Sequence, residues 1–420
     1  MAKRAPFTLT RRGMLGLGLG AAGLMLPRFG VADAVSGNKR RFLFIHCSGG
    51  WDTTYVFQPA FGSSVVDMEA DSTAAEVGGI TFVDNEKRPF VRSYMEKYAD
   101  RTCVINGMEV SSITHERCKR IVMTGSAEGQ TDDWGAILAG ESTERYLLPY
   151  VVLSGTAFTS KYSSRVVRVG NFGQLTSLLS GNALRATDQH FDLPSGSRQA
   201  LVDAFVRERM AGKSPNSAIA AAAVGALDDA AALDAYSDTL QITGVSGGCY
   251  MLHEHMGTVW DVFSQGLART ALIEYKGWCS EGWDTHSSNE RQGIHFDELF
   301  DSLARGLADL DERTGPDGSP LVDETVVVVF SEMGRTPQLN GGNGRDHWMF
   351  TSAMLIGAGV KGGQVLGGFD DTGVGKAIDF TTGEALDEGT GLLAKNFGAS
   401  ILALGDVDPG ETTPLAAVLA

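Results

Sequence analysis

The sequence predicts an α/β protein whose central, mostly parallel sheet lies between helices. The clearest sign is an unbroken apolar run at residues 326–330, Val-Val-Val-Val-Phe, with polar residues on both sides. A strand with one solvent-exposed face would alternate apolar and polar residues, whereas unbroken apolar runs are typical of strands that helices cover on both faces. Similar apolar runs recur along the chain, and stretches of helical composition lie between them.

Taken in order, the apolar runs and the helical patterns give a list of elements. Strands are predicted at 41–47, 101–106, 147–153, 271–275, 325–330 and 352–356. Helices are predicted at 86–98, from 114 onward, and at 198–210, 291–313 and 392–404. Residues 217–240 are rich in Ala and poor in large core side chains, and residues 198–210 have an amphipathic helical pattern. We therefore interpret residues 197–240 as a helical insertion on the sheet domain.

Composition and charge exclude several classes of protein. Hydrophobic residues make up 43% of the chain and charged residues 20%, which are values of globular proteins. The formal net charge is -16, so the chain lacks the basic footprint that nucleic-acid binding needs. The net charge does not exclude a local basic pocket that binds an anionic substrate.

The N-terminus has the pattern of a targeting signal. Residues 10–15, TRRGML, form a twin-arginine pattern, followed by an apolar segment too short for a comfortable membrane span. Residues 32–34, ADA, fit a cleavage site. We therefore predict that residues 1–34 are a twin-arginine signal peptide and residues 35–420 one domain. The predicted location is the periplasm or the exterior, reached through the twin-arginine export machinery, with no stable membrane span in the mature form. The alternatives are an ordinary secretion signal or an uncleaved anchor.

Cysteine and isolated histidine residues are predicted to be structural. None of the five cysteines forms a CxxC pair, so a zinc ribbon or a thioredoxin-type motif is not expected. The default prediction for all five is a small buried hydrophobic side chain. His253 and His255 are two residues apart and would not share a helix face, so we predict no metal site there.

Acidic and histidine side chains follow three of the predicted strands. Ligands bind in α/β sheets beyond the carboxyl ends of the strands, and carboxylates and imidazoles bind zinc and manganese. The sequence therefore predicts one or two divalent metal ions at this edge. The candidate ligands are Asp52, Asp284, His286, Glu332, Asp346 and His347. Two alternatives stay open, namely that Asp52 only caps the turn that follows it and that the loop after residue 331 is merely solvated.

Candidate catalytic residues are Thr114, His115 and Arg335. Thr114 and His115 lie where a helix would start, and helix N-termini bind anions and favour an ionised nucleophile. Thr114 as a simple N-cap is the alternative, and the nearby hydroxyls of Ser111 and Ser112 also stay open as nucleophiles. Arg335, with Arg345, would hold anionic oxygens. This set suits metal-assisted displacement at phosphorus or sulfur in a small anionic ester.

Several motifs together resemble a known family. SGGWD, THERC, WDTH and SEMGRTP…GRDHW, behind a twin-arginine signal, look like the exported bacterial family called domain of unknown function 1501. That family is grouped with the alkaline phosphatase and sulfatase superfamily. The resemblance implies an alkaline phosphatase-like fold, with two metal ions at the strand ends. One ion would be held by Asp52, Thr114 and Glu332, and the other by Asp284, His286 and His347.

The chain departs from the superfamily pattern at two points. Asp284 and His286 are spaced more closely than the corresponding pair of alkaline phosphatase, and Met333 replaces the histidine of the late Asp-His pair. A hydrolase of phosphate or sulfate esters is the function we expect. The alternative is a non-catalytic exported binding or assembly protein that keeps the fold and a partial metal site. A metal-dependent carbohydrate-processing enzyme is a third possibility without residue support.

Overall fold

The computed structural model describes residues 37–169, 196–213, 217–236, 239–240, 249 and 251–420. The predicted signal peptide, residues 1–34, and part of the predicted 197–240 insertion lie outside these ranges. Within the described ranges, no helix combines the length and the apolar character that a membrane crossing requires.

An eight-stranded sheet forms the centre of the protein. In spatial order its strands are Gln364–Gly367 (β12), Thr102–Glu109 (β4), Phe350–Gly357 (β11), Thr325–Ser331 (β8), Arg41–Cys47 (β1), Thr270–Tyr275 (β7), Tyr150–Val152 (β5) and Val166–Arg168 (β6). Three two-stranded pairs accompany it: Thr73–Val77 (β2) with Ile80–Asp84 (β3), Gly334–Arg335 (β9) with His347–Trp348 (β10), and Ala377–Ile378 (β13) with Ala385–Leu386 (β14).

The sheet is parallel except for one strand. β11 runs antiparallel to both of its neighbours, β4 and β8, while the other pairings of the sheet are parallel. The predicted α/β class with a mostly parallel central sheet is therefore confirmed. β11 runs antiparallel to β8 because the chain between the two strands stays at the end of the sheet where β8 finishes. A parallel return would need a connection that crosses to the opposite end of the strands.

Helices cover the sheet and largely follow the sequence pattern. Described helices of seven residues or more are Pro89–Tyr98, His115–Thr124, Trp134–Gly140, Ser197–Ala211, Ala218–Asp234, Leu252–Ser264, Arg291–Asp311 and Ala394–Leu404. All of the predicted helices are present, and their ends differ from the predicted ones by at most three residues. The helices Ser197–Ala211 and Ala218–Asp234 agree with the predicted helical character of the insertion.

Strand β8 is buried on both faces, as its unbroken apolar run predicts. Val327 and Val329 belong to one hydrophobic cluster, whereas Val326, Val328 and Phe330 belong to the other. Fully burying a valine side chain contributes about 1.5 kcal/mol or more. The two clusters therefore pack against both faces of β8 and fix the position of the residues that follow it.

The cysteine prediction is correct for three residues and wrong for two. Cys47, Cys103 and Cys118 are buried free thiols, whereas Cys249 and Cys279 form a disulfide. The two paired residues are 30 positions apart. Their pairing depends on tertiary placement, which spacing alone does not reveal.

One buried arginine ties the N-terminal edge of the sheet together. Arg269 is fully buried, and its guanidinium donates hydrogen bonds to the carbonyl oxygens of Leu138 (2.6 Å), Gly405 (2.7 Å) and Gly37 (3.3 Å). Nε donates to the carbonyl of Arg40 at 3.4 Å. One side chain thus satisfies main-chain acceptors from three separate parts of the chain.

Arg269→Met should therefore destabilise the protein strongly. The variant keeps much of the side-chain volume but leaves buried carbonyls without donors, so we expect the free energy of unfolding to fall by about 3 kcal/mol or more. Urea denaturation measures the change. Arg209→Met, at an exposed position of a helix, is the matched control and should stay within about 0.5 kcal/mol of the wild type. Equal stability of the two variants would contradict this role for Arg269.

Candidate metal centre

Polar side chains gather at the edge where the parallel strands end. His115 follows β4, Asp284 follows β7 and Glu332 follows β8, while the residue after the end of β1, Gly49, contributes its backbone N–H. His347 joins them from β10, in the loop region between β8 and β11. Asp284, Glu332 and His347, three of the candidate ligands, thus lie near one another at the carboxyl ends of the strands.

The carboxylate of Glu332 lies at the base of this group and is 1% exposed. Its oxygens accept hydrogen bonds from Gly49 N (2.9 and 3.1 Å), from His46 Nε2 (3.1 Å) and from His115 Nδ1 (2.9 Å). Burial opposes the charge, but the hydrogen bonds from His115 and His46 outweigh it and hold the pKa of Glu332 far below its usual range. Because both oxygens are engaged, Glu332 orients His115 instead of presenting an open coordination position.

The glycine at position 49 is required by this arrangement. Its φ of 128° lies in the region that favours glycine. A Cβ added there would lie 2.7 Å from the backbone nitrogens of Trp283 and Asp284. The close approach brings the Gly49 N–H to Glu332 and brings the segment carrying Asp284 against the end of β1.

Arg335 orients the backbone and Asp284. Its buried guanidinium donates to the carbonyls of Gly50 (2.9 Å), Arg345 (3.1 Å) and Gly49, and to Asp284 Oδ1 (2.6 Å). Burial raises the pKa of Asp284, but the Arg335 hydrogen bond and charge outweigh it, so the pKa lies below its usual value. The guanidinium predicted to hold substrate oxygens thus donates to groups of the protein from all three of its nitrogens.

Three histidines turn Nε2 toward Asp284, and His286 Nε2 is the nearest, at 3.2 Å from Oδ1. His115 Nε2 lies 3.4 Å from Asp284 Oδ2, and His347 Nε2 lies 3.4 Å from Oδ1. The Nδ1 of His347 donates to the carbonyl of Ile113 (2.7 Å), and that of His115 donates to ionised Glu332. A neutral ring with Nδ1–H carries its lone pair on Nε2. His115 Nε2 is also buried without a hydrogen-bond partner.

A third histidine adjoins them. His286 Nδ1 lies 2.9 Å from Asp346 Oδ1, which also accepts from Asn340 Nδ2 at 3.2 Å. This hydrogen bond from His286 lowers the pKa of Asp346, so its carboxylate is ionised and His286 donates from Nδ1. The Nε2 atoms of His286 and His347 are 2.9 Å apart. Two lone pairs facing each other at this distance require a proton or a cation between them.

The donor set fits a single divalent ion. Ligand atoms of His115, Asp284 and His347 all lie within 4.8 Å of one another. Tetrahedral ligands about 2.0–2.2 Å from zinc are separated by roughly 3.3–3.6 Å, so a small inward adjustment would close this set on one ion. Each Nδ1 is held by a carboxylate or a carbonyl, which is the outer-shell pattern of metal-binding histidines. Among the described residues, neither His253 nor His255 belongs to such a group.

Asp52 has other partners. Its fully buried Oδ1 accepts from Thr54 N (3.0 Å) and Thr54 Oγ1 (2.7 Å), and Oδ2 accepts from Asn289 Nδ2 (2.7 Å). Arg345 Nε lies 3.0 Å from Oδ2. Asp52 therefore caps the 3₁₀ helix Thr53–Tyr55, which is the alternative that its sequence context left open.

The hydroxyl groups near the centre differ in the hydrogen bonds that they make. Thr114 is exposed at the N-cap of the helix His115–Thr124, and its side chain makes no capping hydrogen bond. Ser111 Oγ donates to Glu109 Oε1 (2.8 Å), and Ser112 Oγ accepts from Thr114 N (3.3 Å).

Sequence reasoning missed three contributors. These are His46 inside β1, the carbonyl of Ile113, and the position of His115 beside Asp284 and His347, which makes His115 a candidate metal ligand. The THERC motif, with its histidine at the first helical position, carried a signal for the last of these. Nothing in the local sequence distinguishes His46 from a core residue of its strand.

A buried histidine holds the segment that carries Asp284. His295, on the helix Arg291–Asp311, accepts a hydrogen bond from Trp278 N at Nδ1 (3.0 Å) and donates from Nε2 to the carbonyl of Gly282 (3.0 Å). Burial lowers the pKa of His295 to about 4. The ring is therefore neutral at physiological pH, and both of its nitrogens hold the 278–282 segment.

Comparisons with known proteins identify a family for this chain. A family model described as protein of unknown function (DUF1501) matches residues 39–386. A search of curated proteins finds no match. Ps i-CgsB is among the solved structures that match, with 9% identity, 89% of this chain and 74% of that chain covered, and a TM-score of 0.41.

Two further solved structures match this chain at a similar level of identity. A putative sulfatase from Bacteroides thetaiotaomicron VPI-5482 has 11% identity, with 90% of this chain and 73% of that chain covered and a TM-score of 0.34. A protein in the alkaline phosphatase superfamily from Vibrio parahaemolyticus has 10% identity, with 90% and 69% covered and a TM-score of 0.32. Similarity at this level transfers neither an activity nor the roles of residues.

The neutral state of His295 predicts an acid-sensitive fold. The unfolded chain takes up a proton on this residue near pH 6.5, whereas the folded protein does so only near pH 4. The unfolded state then binds more protons in this window, so stability falls as pH drops from about 6.5 to about 4, by roughly 3 kcal/mol. Urea denaturation across this range measures the loss. His295→Gln should show a shallower pH dependence, and an unchanged slope would contradict the assignment.

Proposed function

The chain belongs to the DUF1501 family of proteins of unknown function, and we propose that this member is an exported, metal-dependent hydrolase of small phosphate or sulfate esters. The observation that carries the proposal is the convergence of imidazole Nε2 atoms on the carboxylate of Asp284. The Nε2 atoms of His286 and His347, 2.9 Å apart with both Nδ1 atoms donating elsewhere, favour a cation at this point.

The ion would be zinc or manganese, held by His115, Asp284 and His347 with His286 as a further ligand. Nitrogen and carboxylate donors in this combination suit both metals. A divalent ion bound there supplies Lewis acidity toward an ester oxygen and offsets negative charge. The expected stoichiometry is one ion, because the oxygens of Asp52 and Glu332, assigned from the resemblance to the other ion, are engaged within the protein.

The protein's own residues prepare this site in two ways. Glu332 accepts from His115 Nδ1, which fixes the tautomer and makes Nε2 a stronger ligand. The same hydrogen bond raises the pKa of His115, so protons compete with the metal as the pH falls. Arg335 anchors Asp284 through a 2.6 Å hydrogen bond, which keeps one carboxylate oxygen in place while the other faces His115.

An anionic substrate suits the adjoining helix. The helix His115–Thr124 begins at the site, and no side chain at its N-cap accepts from the first-turn N–H groups. Free N–H groups at a helix N-terminus attract anions. Thr114 is the proposed nucleophile, because it is exposed, precedes His115 directly and leaves its hydroxyl out of the capping position.

Export through the twin-arginine route is part of the proposal. The TRRGML pattern and the following apolar segment support it, and the Cys249–Cys279 disulfide suits an oxidising compartment outside the cytoplasm. Recovery from the periplasm of a chain that starts at Val35 would agree with export. An intact chain confined to the cytoplasm would contradict it.

A non-catalytic exported binding protein is the second candidate, and Met333 favours it. In the superfamily pattern an imidazole stands at this position, whereas Met333 is fully buried in the hydrophobic cluster. A Cβ added at Gly50 would lie 2.8 Å from Met333 Cγ, so the methionine packs under the glycine turn. This side chain contributes packing and no ligand.

Metal content tests the centre directly. We expect about one equivalent of zinc or manganese in wild-type protein purified from the periplasm, measured by elemental mass spectrometry. Asp284→Ala and His347→Ala should lose the ion, and Glu332→Gln should weaken its affinity by about 10–100-fold. His253→Ala, a histidine outside the group, is the control and should keep it. Absence of metal after incubation with both ions would overturn the centre.

Hydrolysis separates the enzyme from the binding protein. Metal-loaded protein should cleave p-nitrophenyl phosphate or p-nitrophenyl sulfate, and Thr114→Ala should reduce the rate at least about 10³-fold while keeping the metal. Thr114→Ser should restore much of the rate, and Ser111→Ala should leave it unchanged. Bound metal without cleavage of either ester would favour the binding protein. Full activity of Thr114→Ala would contradict the proposed nucleophile.

A further inference from the structure

The glycine-rich loop between β9 and β10 packs against the segment that carries His286. Residues 340–344 of this loop read Asn-Gly-Gly-Asn-Gly. A Cβ added at Gly344 would lie 2.1 Å from the carbonyl carbon and oxygen of His286, so this position requires glycine. Just beyond it, Arg345 N donates to the carbonyl of Thr285 at 3.0 Å. The loop and the His286 segment are therefore in direct backbone contact.

Asn340 closes the loop on itself. Its Oδ1 accepts from Gly342 N (2.9 Å) and Gly344 N (3.1 Å), and its backbone N donates to the carbonyl of Gly344 (2.8 Å). An amide oxygen accepts and an amide nitrogen donates, so the two N–H partners of Oδ1 identify the other terminal atom as the nitrogen. The direction in which the Asn340 amide donates is therefore fixed by its hydrogen bonds.

The amide nitrogen of Asn340 points out of the loop toward His286. Nδ2 donates to the carbonyl of His286 (3.0 Å) and to Asp346 Oδ1 (3.2 Å). The same Asp346 oxygen accepts from His286 Nδ1 at 2.9 Å. One amide thus holds both the backbone of His286 and the carboxylate that orients its ring. Through them it sets the place of His286 Nε2, which lies 2.9 Å from His347 Nε2.

Packing does not fix the ring of His286. His286 and Asp346 are both exposed, whereas Asn340 between them is half-buried. An exposed side chain loses rotamer freedom only when specific contacts hold it. The hydrogen bonds from Asn340 are such contacts, and they bear on a single imidazole.

We propose that Asn340 is the positioning residue for His286, which it holds where Nε2 can bind the ion. The proposal rests on the metal centre of the proposed function and adds a residue that touches neither the ion nor the substrate. Loss of an outer-shell partner of a ligating histidine typically weakens metal binding by about 10–100-fold. The same range is expected for the loss of the Asn340 amide.

Zinc affinity of the intact protein tests this role. Asn340→Asp keeps the oxygen that accepts from Gly342 and Gly344 and removes the Nδ2 donor, so the loop stays closed while the two outward hydrogen bonds are lost. The Kd for zinc, measured by chelator competition, should rise by about tenfold or more. Asn343→Asp adds the same charge at an exposed position of the same loop, whose left-handed backbone suits Asn and Asp alike. This control should bind zinc as the wild type does.

A double-mutant cycle separates the positioning of His286 from the stability of the loop. In the His286→Ala background the imidazole is gone, so Asn340→Asp should change the zinc Kd no more than Asn343→Asp does. A tenfold loss in that background would mean that Asn340 acts on the whole loop, and it would overturn the proposal. Equal Kd values for Asn340→Asp and Asn343→Asp with His286 present would also overturn it, and would leave the metal centre in place.

The metal-free protein gives a second readout. Proton–nitrogen correlation NMR at about pH 8, where free imidazole is neutral, reports which ring nitrogen of His286 carries the proton. The proton should be on Nδ1 in the wild type and in Asn343→Asp. Both tautomers should be populated in Asn340→Asp, because Asp346 has lost the donor that fixes its carboxylate.

An unchanged tautomer in Asn340→Asp would overturn the positioning role. A wild type that binds no zinc would contradict the proposed function, and the NMR comparison would then decide the role of Asn340 without the metal.

Discussion

The buried carboxylate of Glu332 is the interaction on which the candidate site depends. An ion at this depth is costly unless it is fully hydrogen-bonded, and Gly49 N, His46 and His115 supply the donors. These partners come from the end of β1 and the helix after β4, while Glu332 itself directly follows β8. One charge thus joins three separate chain segments and sets the ring orientation of His115. Removing it would release all three segments at once.

The burial of β8 on both faces explains why this carboxylate can be placed so well. Its side chains alternate between two hydrophobic clusters, so packed side chains oppose a shift of the strand toward either face. Arg335, a few residues later, extends this rigidity outward by holding the Gly49–Gly50 turn and Asp284 together. The positions of the candidate metal ligands therefore follow from the packing of the sheet and not from the loops alone.

The sheet and its polar edge could be predicted from the sequence because both depend on local pattern. The apolar run 326–330 and the motifs SGGWD, WDTH and GRDHW led to the right strand ends. Side-chain partners could not be predicted this way. Asp52 and Asp284 each follow a Gly and a Trp, yet one caps a turn in the interior and the other faces His115. The difference comes from Asn289 and Arg345, which are distant in sequence. The direction of β11 and the Cys249–Cys279 pair were missed for the same reason.

The candidate ligands differ in how firmly the fold holds them. His115 begins a helix and rests on a buried carboxylate, whereas His286 is about half exposed and is held by Asp346, which is itself exposed. The centre therefore has a rigid side and a side that can yield. An ion bound there could exchange His286 for an incoming oxygen while its remaining ligands stay in place. The coordination number of the ion would then vary without any movement of the sheet. Ligand exchange would take place on the solvent-exposed side of the centre, where His286 lies.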